Sequence, residues 1–254
     1  MPQVDRPFVA LTGFRFRLWP LLLAVLLMEA LLRAGRGAAR WTYFQGQELW
    51  GEHVSIFLNL AILFQAVLGL AGILVMRRAL PEADAHLRWP SGRSYVGLAV
   101  LIGVGMGLVM LVADYWPELL ARTPPNDSYA VTAFDAGGFL FAMAITGFAE
   151  ETIFRGLLVG MLVVLIPGRL RIGRIDLPVA GYAVALLFGL AHWQTFTVDP
   201  LHLAIAQQLY AFVWGLVYVW LMERARSLLA PMVAHGMGNF TEVAIVILLG
   251  ALWS

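Results

Sequence analysis

The sequence contains no cysteine and no lysine, and it has few charged residues of either sign. Without cysteine, disulfide bonds and thiolate metal ligands are excluded. Charged residues make up 13% of the 254 residues, about half of the ~25% that is usual in soluble domains. The net charge is +1, so the composition favours no nucleic-acid partner.

Long apolar runs take the place of the missing charge. Hydrophobic residues make up 61% of the chain, and the runs are continuous rather than alternating, which favours membrane-spanning helices over a β-barrel. We therefore predict an all-α polytopic membrane protein, a bundle of about seven transmembrane helices. The predicted spans are residues 18–32, 55–76, 95–112, 134–166, 177–196, 203–221 and 228–253.

The fourth span, residues 134–166, is longer than a membrane requires. A straight helix of this length would measure roughly 50 Å, whereas the hydrocarbon core of a bilayer is ~30 Å thick. We expect this segment to tilt, to break or to extend beyond the bilayer, with Gly147 and Gly156 as points of bending. A break would raise the number of transmembrane helices to eight.

The arginines are distributed unequally between the two sides that these spans define. Twelve lie in the N-terminal arm and in the loops after the second, fourth and sixth spans, and four lie in the other loops. The positive-inside rule therefore predicts a multi-pass protein of the cell membrane with its N-terminus in the cytoplasm. Among the four, Arg33, Arg36 and Arg40 follow the first apolar run, and we interpret them as the flank that ends the first span.

Three ionisable residues interrupt the fourth span. Glu150, Glu151 and Arg155 lie within six residues of an otherwise almost purely apolar segment, and each such group costs at least ~2.5–3.5 kcal/mol at membrane depth. Glu151 and Arg155 are four residues apart on one helix face, which predicts a buried ion pair. Glu150 lies about 100° round the helix and is predicted to face a cavity. A structural ion-pair network between helices is the alternative interpretation.

Two later spans carry polar residues at helical spacing. Phe188 and His192 are four residues apart in the fifth span, and His235 and Asn239 are four apart in the seventh. Each pair shares a helix face, and either pair alone is typical of a core histidine or of a polar contact between helices. With Glu150 they supply a carboxylate, two imidazoles and an amide, which suit hydrolysis of an amide bond by an activated water. Further candidates for residues that support such a site are Gln207 and Glu242.

The order of these three motifs resembles a known family. Glu-Glu-x-x-x-Arg, Phe-x-x-x-His and His-x-x-x-Asn, each on an apolar helix, are similar to the motifs of the CAAX-protease and bacteriocin-processing (Abi, or CPBP) family of intramembrane proteases, which includes the type II CAAX prenyl endopeptidases. The resemblance covers about residues 139–240. It implies an intramembrane endopeptidase with a catalytic transmembrane core at residues 131–254, and residues 1–130 add helices of unassigned role.

The resemblance also implies a role for each motif residue. Glu150 corresponds to the glutamate thought to activate water, and His192 to the histidine that helps to hold that water. His235 and Asn239 correspond to the pair proposed to stabilise the tetrahedral oxyanion. The implied partners are membrane lipid and a peptide or protein substrate, which is lipidated for the prenyl endopeptidases. The residues at supporting positions are Glu151, Arg155 and Phe188.

The site chemistry leaves two possibilities for a cofactor. Glu150, His192 and His235 could together bind zinc, and the family has been described both as metalloproteases and as glutamate proteases without metal. The sequence lacks a His-Glu-x-x-His motif, and the three ligands would come from separate helices. We therefore favour metal-free chemistry, with a divalent metal, zinc, as the alternative.

Two other classes of function also use charged groups inside a membrane. A transporter or proton pathway would use glutamate, histidine and arginine as a relay, but such folds often contain repeated halves, and no internal repeat is visible in this sequence. A non-catalytic immunity or scaffold protein is the third class. The ordered set of three motifs favours the protease.

Overall fold

The chain forms a bundle of long apolar helices. The structure is a computed structural model that describes residues 9–11, 14–125 and 132–253, with side chains from Arg17 onward. In chain order the helices are α1 (Trp19–Gln45), α2 (Gln47–Trp50), α3 (Val54–Ala79), α4 (Val96–Ala121), α5 (Ala133–Glu151), a π-helical segment (Thr152–Val159), α6 (Gly160–Leu165), α7 (Val179–Leu190), α8 (Thr195–Val198), α9 (Leu201–Ala225) and α10 (Leu229–Trp253).

Five helical segments are long and apolar enough to cross a membrane. They are Val54–Ala79, Val96–Ala121, Val179–Val198, Leu201–Ala225 and Leu229–Trp253. The prediction of an all-α polytopic membrane protein is confirmed. The charged helices α1 and α5 are not among the five, so the number of seven spans stays a prediction.

Helix α1 continues far beyond the predicted end of the first span. The segment after residue 32, predicted as a connection, is helical, because α1 runs unbroken to Gln45. The interpretation of the three arginines as the flank of the membrane span stays a prediction. Local contacts stabilise the continuation: the Nε of Arg33 donates to Oε2 of Glu29 at 2.7 Å, and the guanidinium of Arg40 lies 5.8 Å from the ring centre of Phe44. Both pairs are four residues apart, the spacing at which side chains on one helix meet.

Glycines bring α4 and α10 close together. The sequence of α4 is glycine-rich, and a Cβ added to Gly103 or to Gly107 would lie 2.5 Å from a carbonyl oxygen of α10. A Cβ added to Gly97 or to Gly105 would meet no atom within 4 Å. Two of the four glycines thus provide the close helix approach that small residues permit in membranes.

The long fourth span is a continuous helical segment whose winding changes inside the bundle. Helix α5 passes into the π-helical segment, which contains Gly156 and is followed by α6. Gly147 lies within the regular part of α5, where an added Cβ would collide with the carbonyl oxygen of Met232 in α10. We therefore assign Gly147 to close helix packing rather than to bending.

The predicted fifth span is interrupted before its end. Helix α7 stops at Leu190, and a turn separates it from the short helix α8. His192 lies in this turn and is partly buried, so residues 177–196 are not one continuous helix. Residues 179–198 together still form a candidate membrane span, close to the predicted one.

The segment predicted as a basic loop after the fourth span forms a β-hairpin. Strands β3 (Arg169–Ile172) and β4 (Ile175–Pro178) pair antiparallel, with Arg169 opposite Pro178. Gly173 has a φ of +60° in the turn, a conformation that costs glycine little. A second hairpin near the N-terminus pairs β1 (Val9–Leu11) with β2 (Phe14–Phe16).

The π-helical segment forms the centre of the bundle. All eight of its residues are buried, and Arg155 is the largest fully buried side chain among the described residues. Helices α3, α5 and α7 pack around it. A guanidinium at the centre of an apolar bundle requires partners, and these partners define the candidate site.

Candidate active site

Glu150 and Glu151 are the last two residues of α5, immediately before the π-helical segment. Their environments differ sharply. The side chain of Glu151 is fully buried, whereas 23% of the Glu150 side chain is exposed. Successive helix positions point in different directions, so one carboxylate enters the core and the other faces a cavity, as predicted.

Arg155 is held in the core by two acceptors. Its Nη1 donates to Oε1 of Glu151 at 3.0 Å, and its Nη2 donates to the carbonyl oxygen of Gly215 in α9 at 3.1 Å. Both charged side chains have no exposed surface. The predicted ion pair between Glu151 and Arg155 is confirmed. The hydrogen bond from Arg155 to Gly215 links the π-helical segment to α9.

His235 of α10 joins this network from the opposite side. Its Nδ1 lies 2.8 Å from Oε1 of Glu151, and because a carboxylate only accepts, we assign the proton of Nδ1 to this hydrogen bond. The Nε2 atom then points toward Glu150, 3.8 Å from its Oε2. Glu151 therefore orients the His235 ring so that its other nitrogen faces the second carboxylate.

Aromatic rings enclose the charged groups. The Cζ of Arg155 lies 4.5 Å from the ring centre of Phe188 and 5.0 Å from that of Tyr218. Tyr218 also stacks on His235, with ring centres 5.0 Å apart and 12° between the planes. Guanidinium–ring contacts of this kind are favourable, most of all away from water. Phe188 thus packs against the charged groups, and its supporting role stays a prediction.

His192 reaches the same region from the turn after α7. Its Nδ1 lies 2.9 Å from the carbonyl oxygen of Phe188, which acts as acceptor, so Nε2 carries the lone pair of the neutral imidazole. Gln208 of α9 donates to the carbonyl oxygen of His192 at 3.1 Å. These two contacts fix the turn and the ring within it.

A cavity of two lobes lies beside the network. The first lobe, of about 260 Å³, extends toward α1 and α3, and the second, of about 210 Å³, extends toward α9 and α10. Four residues line both lobes: Met143, Glu150, His192 and Asn239. His235 and Phe188 line the second lobe. The structure thus places three of the four predicted catalytic side chains, Glu150, His192 and Asn239, on both lobes, and the fourth, His235, on the second lobe.

A zinc site at Glu150, His192 and His235 would require all three side chains to contact one ion. Zinc ligands lie ~2.0–2.2 Å from the ion. In the part of the chain that the structure describes, no group of three or more histidine, aspartate or glutamate side chains is placed to hold a metal ion.

Several residues of the site had no signal in the sequence motifs. Tyr218 was not predicted, because a tyrosine in an apolar helix carries no pattern that marks its partner. The contact between Glu151 and His235 joins residues 84 positions apart, which spacing alone cannot reveal. In the second lobe, Gln207 and Glu242 lie beside Tyr210, whose hydroxyl donates to Oδ2 of Asp114 at 3.1 Å.

The fold and this site define a multi-pass helical membrane protein whose ionisable residues meet at one internal cavity. Residues 132–241 match the model of the family described as Type II CAAX prenyl endopeptidase Rce1-like. The match supports the resemblance to the CAAX (CPBP) protease family that the motifs predicted, over a segment that makes up less than half of the chain. Comparisons with curated proteins and with solved structures gave no match.

The family match narrows the class of activity. The matched segment begins one residue before α5 and ends within α10, so it contains every predicted motif residue. The match supports a CAAX-type intramembrane protease in general, and that family implies a peptide or protein substrate and a membrane environment. The walls of the first lobe also include residues of α1 and α3, which lie outside the match.

Proposed function

We propose that Glu150 and His192 activate a water molecule that attacks a peptide bond, and that His235 and Asn239 stabilise the tetrahedral intermediate. One observation supports this proposal above the others. Glu150, His192 and Asn239 line both lobes of the cavity, and Nε2 of His235 lies 3.8 Å from Oε2 of Glu150. A base, a second acceptor and two donors therefore surround one space.

In the first step, a water molecule in the cavity loses a proton to the Glu150 carboxylate. The lone pair on Nε2 of His192 accepts a hydrogen bond from the other O–H of that water and so orients the molecule. The water oxygen adds to the carbonyl carbon of the peptide bond, and the π electrons of the carbonyl move to its oxygen. The product of this step is a tetrahedral intermediate with an oxyanion.

Donors on α10 stabilise the oxyanion. The side-chain amide of Asn239 donates one hydrogen bond, and His235 donates another from Nε2 when its ring is protonated. Because Nδ1 of His235 contacts the carboxylate of Glu151, the positive charge of the protonated ring has a partner. Donors held in place before the reaction stabilise developing charge without reorganisation.

In the last step, the intermediate collapses. The carbonyl re-forms, the C–N bond breaks, and Glu150 returns its proton to the leaving nitrogen, which departs as an amine. The other product is a carboxylic acid, which loses its proton to solvent. Glu150 is thereby restored as a carboxylate, and no oxidant or further reactant is consumed.

The test of this proposal is cleavage of quenched fluorescent peptides by the purified protein in detergent or in lipid nanodiscs. Glu150→Gln removes the base and His192→Ala removes the second acceptor, so either change is expected to lower kcat by ~10²–10⁴. Glu29→Gln is the matched control, because Glu29 forms an exposed pair with Arg33 on α1 outside the cavity. Full activity in both site variants would overturn the mechanism.

A chelator separates the metal-free mechanism from the zinc alternative. We expect cleavage to continue in the presence of a tight chelator, with no stoichiometric metal in the purified protein. Loss of cleavage on chelation, followed by recovery when zinc is added, would overturn the metal-free mechanism and assign Glu150, His192 and His235 as ligands.

The setting of the reaction is also proposed from the sequence. The chain is a multi-pass membrane protein, and the distribution of arginines supports a location in the cell membrane with a cytoplasmic N-terminus. We expect membrane lipid around the bundle, a substrate that carries a lipid in some cases, and no nucleic acid. A reporter enzyme fused to the N-terminus, active only in the cytoplasm, tests the orientation.

A further inference from the structure

A cation faces the cavity from outside the segment that matches the family. Arg36 of α1 lines the first lobe, together with Glu150, His192 and Asn239. The sequence suggested only that Arg36 helps to end the first span. Since α1 continues past it, Arg36 lies about 25 Å along the helix from its start at 1.5 Å per residue.

Among the described residues, the guanidinium of Arg36 forms a hydrogen bond with a neutral side chain. Its Nη1 donates to Oε1 of Gln194 at 3.1 Å. Within the described residues, no carboxylate forms an ion pair with Arg36, whereas the neighbouring Arg33 pairs with Glu29 and the buried Arg155 pairs with Glu151. An uncompensated guanidinium at a cavity wall attracts an anion.

The geometry of the guanidinium narrows the class of anion. Arginine presents five donors in a planar fork that fits a carboxylate with two parallel hydrogen bonds. A peptide offers two kinds of carboxylate, the C-terminal α-carboxylate and the side chain of aspartate or glutamate.

We propose that Arg36 binds a carboxylate of the peptide substrate and thereby sets the position of the bond that is cut. The proposal rests on the proposed function. Arg36 and Glu150 line the same lobe of about 260 Å³, so a bound α-carboxylate selects peptides whose C-terminus lies near the cut. A bound side-chain carboxylate instead selects an acidic residue close to the cut on its C-terminal side.

A purely structural role for Arg36 makes a different prediction. Gln194 lies two residues after His192, so the hydrogen bond from Arg36 also connects α1 to the turn that holds His192. Loss of this connection would slow the cleavage of every peptide equally. Loss of a substrate contact would slow only the peptides that carry the carboxylate.

The experiment uses two matched pairs of quenched peptides with the full-length protein. One pair differs in a free or an amidated C-terminus, and the other differs in Glu or Gln at the position after the cut. Four variants are compared with the natural protein: Arg36→Gln, Arg36→Lys, Gln194→Ala and Arg33→Gln. Gln194→Ala removes the connection but keeps the charge, and Arg33→Gln removes a charge outside the cavity.

The natural protein is expected to cleave the anionic member of one pair at least tenfold more efficiently, in kcat/KM, than its neutral partner. Arg36→Gln should abolish this preference while the neutral peptide is still cut. Gln194→Ala and Arg33→Gln should retain the preference, and Arg36→Lys should retain part of it, since lysine keeps the charge without the fork.

The pair that shows the preference identifies which carboxylate is bound. Equal cleavage within both pairs by the natural protein would overturn the proposal for Arg36, and so would a preference that Arg36→Gln retains. In either case, cleavage that depends on Glu150 would leave the proposed function standing. If the natural protein cleaves none of the peptides, the proposed function fails and the Arg36 proposal fails with it.

Discussion

The Nδ1 atom of His235 lies 2.8 Å from Oε1 of Glu151. The same carboxylate oxygen accepts from Nη1 of Arg155 at 3.0 Å. Glu151 therefore connects three elements, α5, the π-helical segment and α10, through one buried oxygen. It also determines which nitrogen of His235 faces the cavity, although Glu151 itself has no exposed surface.

Glu151→Ala is expected to destabilise the protein and to abolish cleavage. Removing one partner of a buried ion pair leaves the other charge uncompensated and costs about 3–5 kcal/mol. The free energy of unfolding in a mild detergent measures this cost. Glu29→Ala serves as the control, because its exposed pair with Arg33 is worth only ~0–1 kcal/mol. Equal losses in the two variants would contradict the central role of Glu151.

Tyr218 is expected to matter for its ring and not for its hydroxyl. The ring stacks on His235 and lies 5.0 Å from the guanidinium of Arg155. Tyr218→Phe preserves these contacts and should keep at least half of the natural kcat, while Tyr218→Leu should lower kcat by tenfold or more because the His235 ring loses its support. Peptide cleavage measures both. A strong loss in Tyr218→Phe would instead assign a role to the hydroxyl.

Glycines at the contact of α4 with α10 are expected to be intolerant of a methyl group. Gly103→Ala and Gly107→Ala each insert a carbon 2.5 Å from a carbonyl oxygen, and overpacking of this kind costs about 1–3 kcal/mol. Gly105→Ala meets open space and should stabilise the helix by about 0.5–1 kcal/mol. Thermal unfolding in detergent compares the three. Similar melting temperatures in all three variants would contradict the observed packing.

Stability is expected to fall in acid because of His86, in the loop between α3 and α4. Burial lowers the pKa of His86 below its usual 6.5, although the negative charge of Asp84 acts in the opposite direction and raises it. Below pH 6.5, the histidine is therefore protonated in the unfolded chain while it is still neutral in the folded protein. The free energy of unfolding is then highest above pH 6.5 and decreases as the pH falls toward the lower pKa of the folded state.

The variant His86→Asn tests this dependence. Residue 86 has a φ of +50°, which asparagine tolerates better than most residues, and its backbone carbonyl still accepts from the amide of Leu228 at the start of α10. We expect the variant to lose less stability than the natural protein between pH 7 and pH 5. Identical losses would show that another group causes the acid sensitivity.

Contacts between residues of one helix could be predicted from the sequence better than contacts between helices. The pair of Glu151 with Arg155 and the outward direction of Glu150 follow from the spacing of residues along one helix, so both could be predicted. The contact of Glu151 with His235 depends on how α5 and α10 pack, and the role of Arg36 depends on a helix that continues past three arginines. Such features follow from tertiary packing, which local patterns do not encode.

The break in the fifth span shows the same limit. Residues 191–196 mix apolar residues with His192, Gln194 and Thr195. A similar mixture occurs within the continuous helix α9, so these polar residues did not by themselves mark a break. The turn nevertheless places His192 beside Glu150, and its position depends on Gln208 of α9. Hydropathy measures which residues tolerate lipid, and it carries little information on where a helix stops inside a bundle.

The π-helical segment, Thr152–Val159, also determines what the deletion of a single residue would do to the protein. A π-helix accommodates an additional residue in a helical turn. Deleting one residue here would restore ordinary α-helical winding and would remove a locally unfavourable conformation. It would also shift Arg155, which lies inside the segment, relative to Glu151, which precedes it. The shortened chain would form a better isolated helix, and it would disturb the four-residue spacing on which the buried ion pair depends.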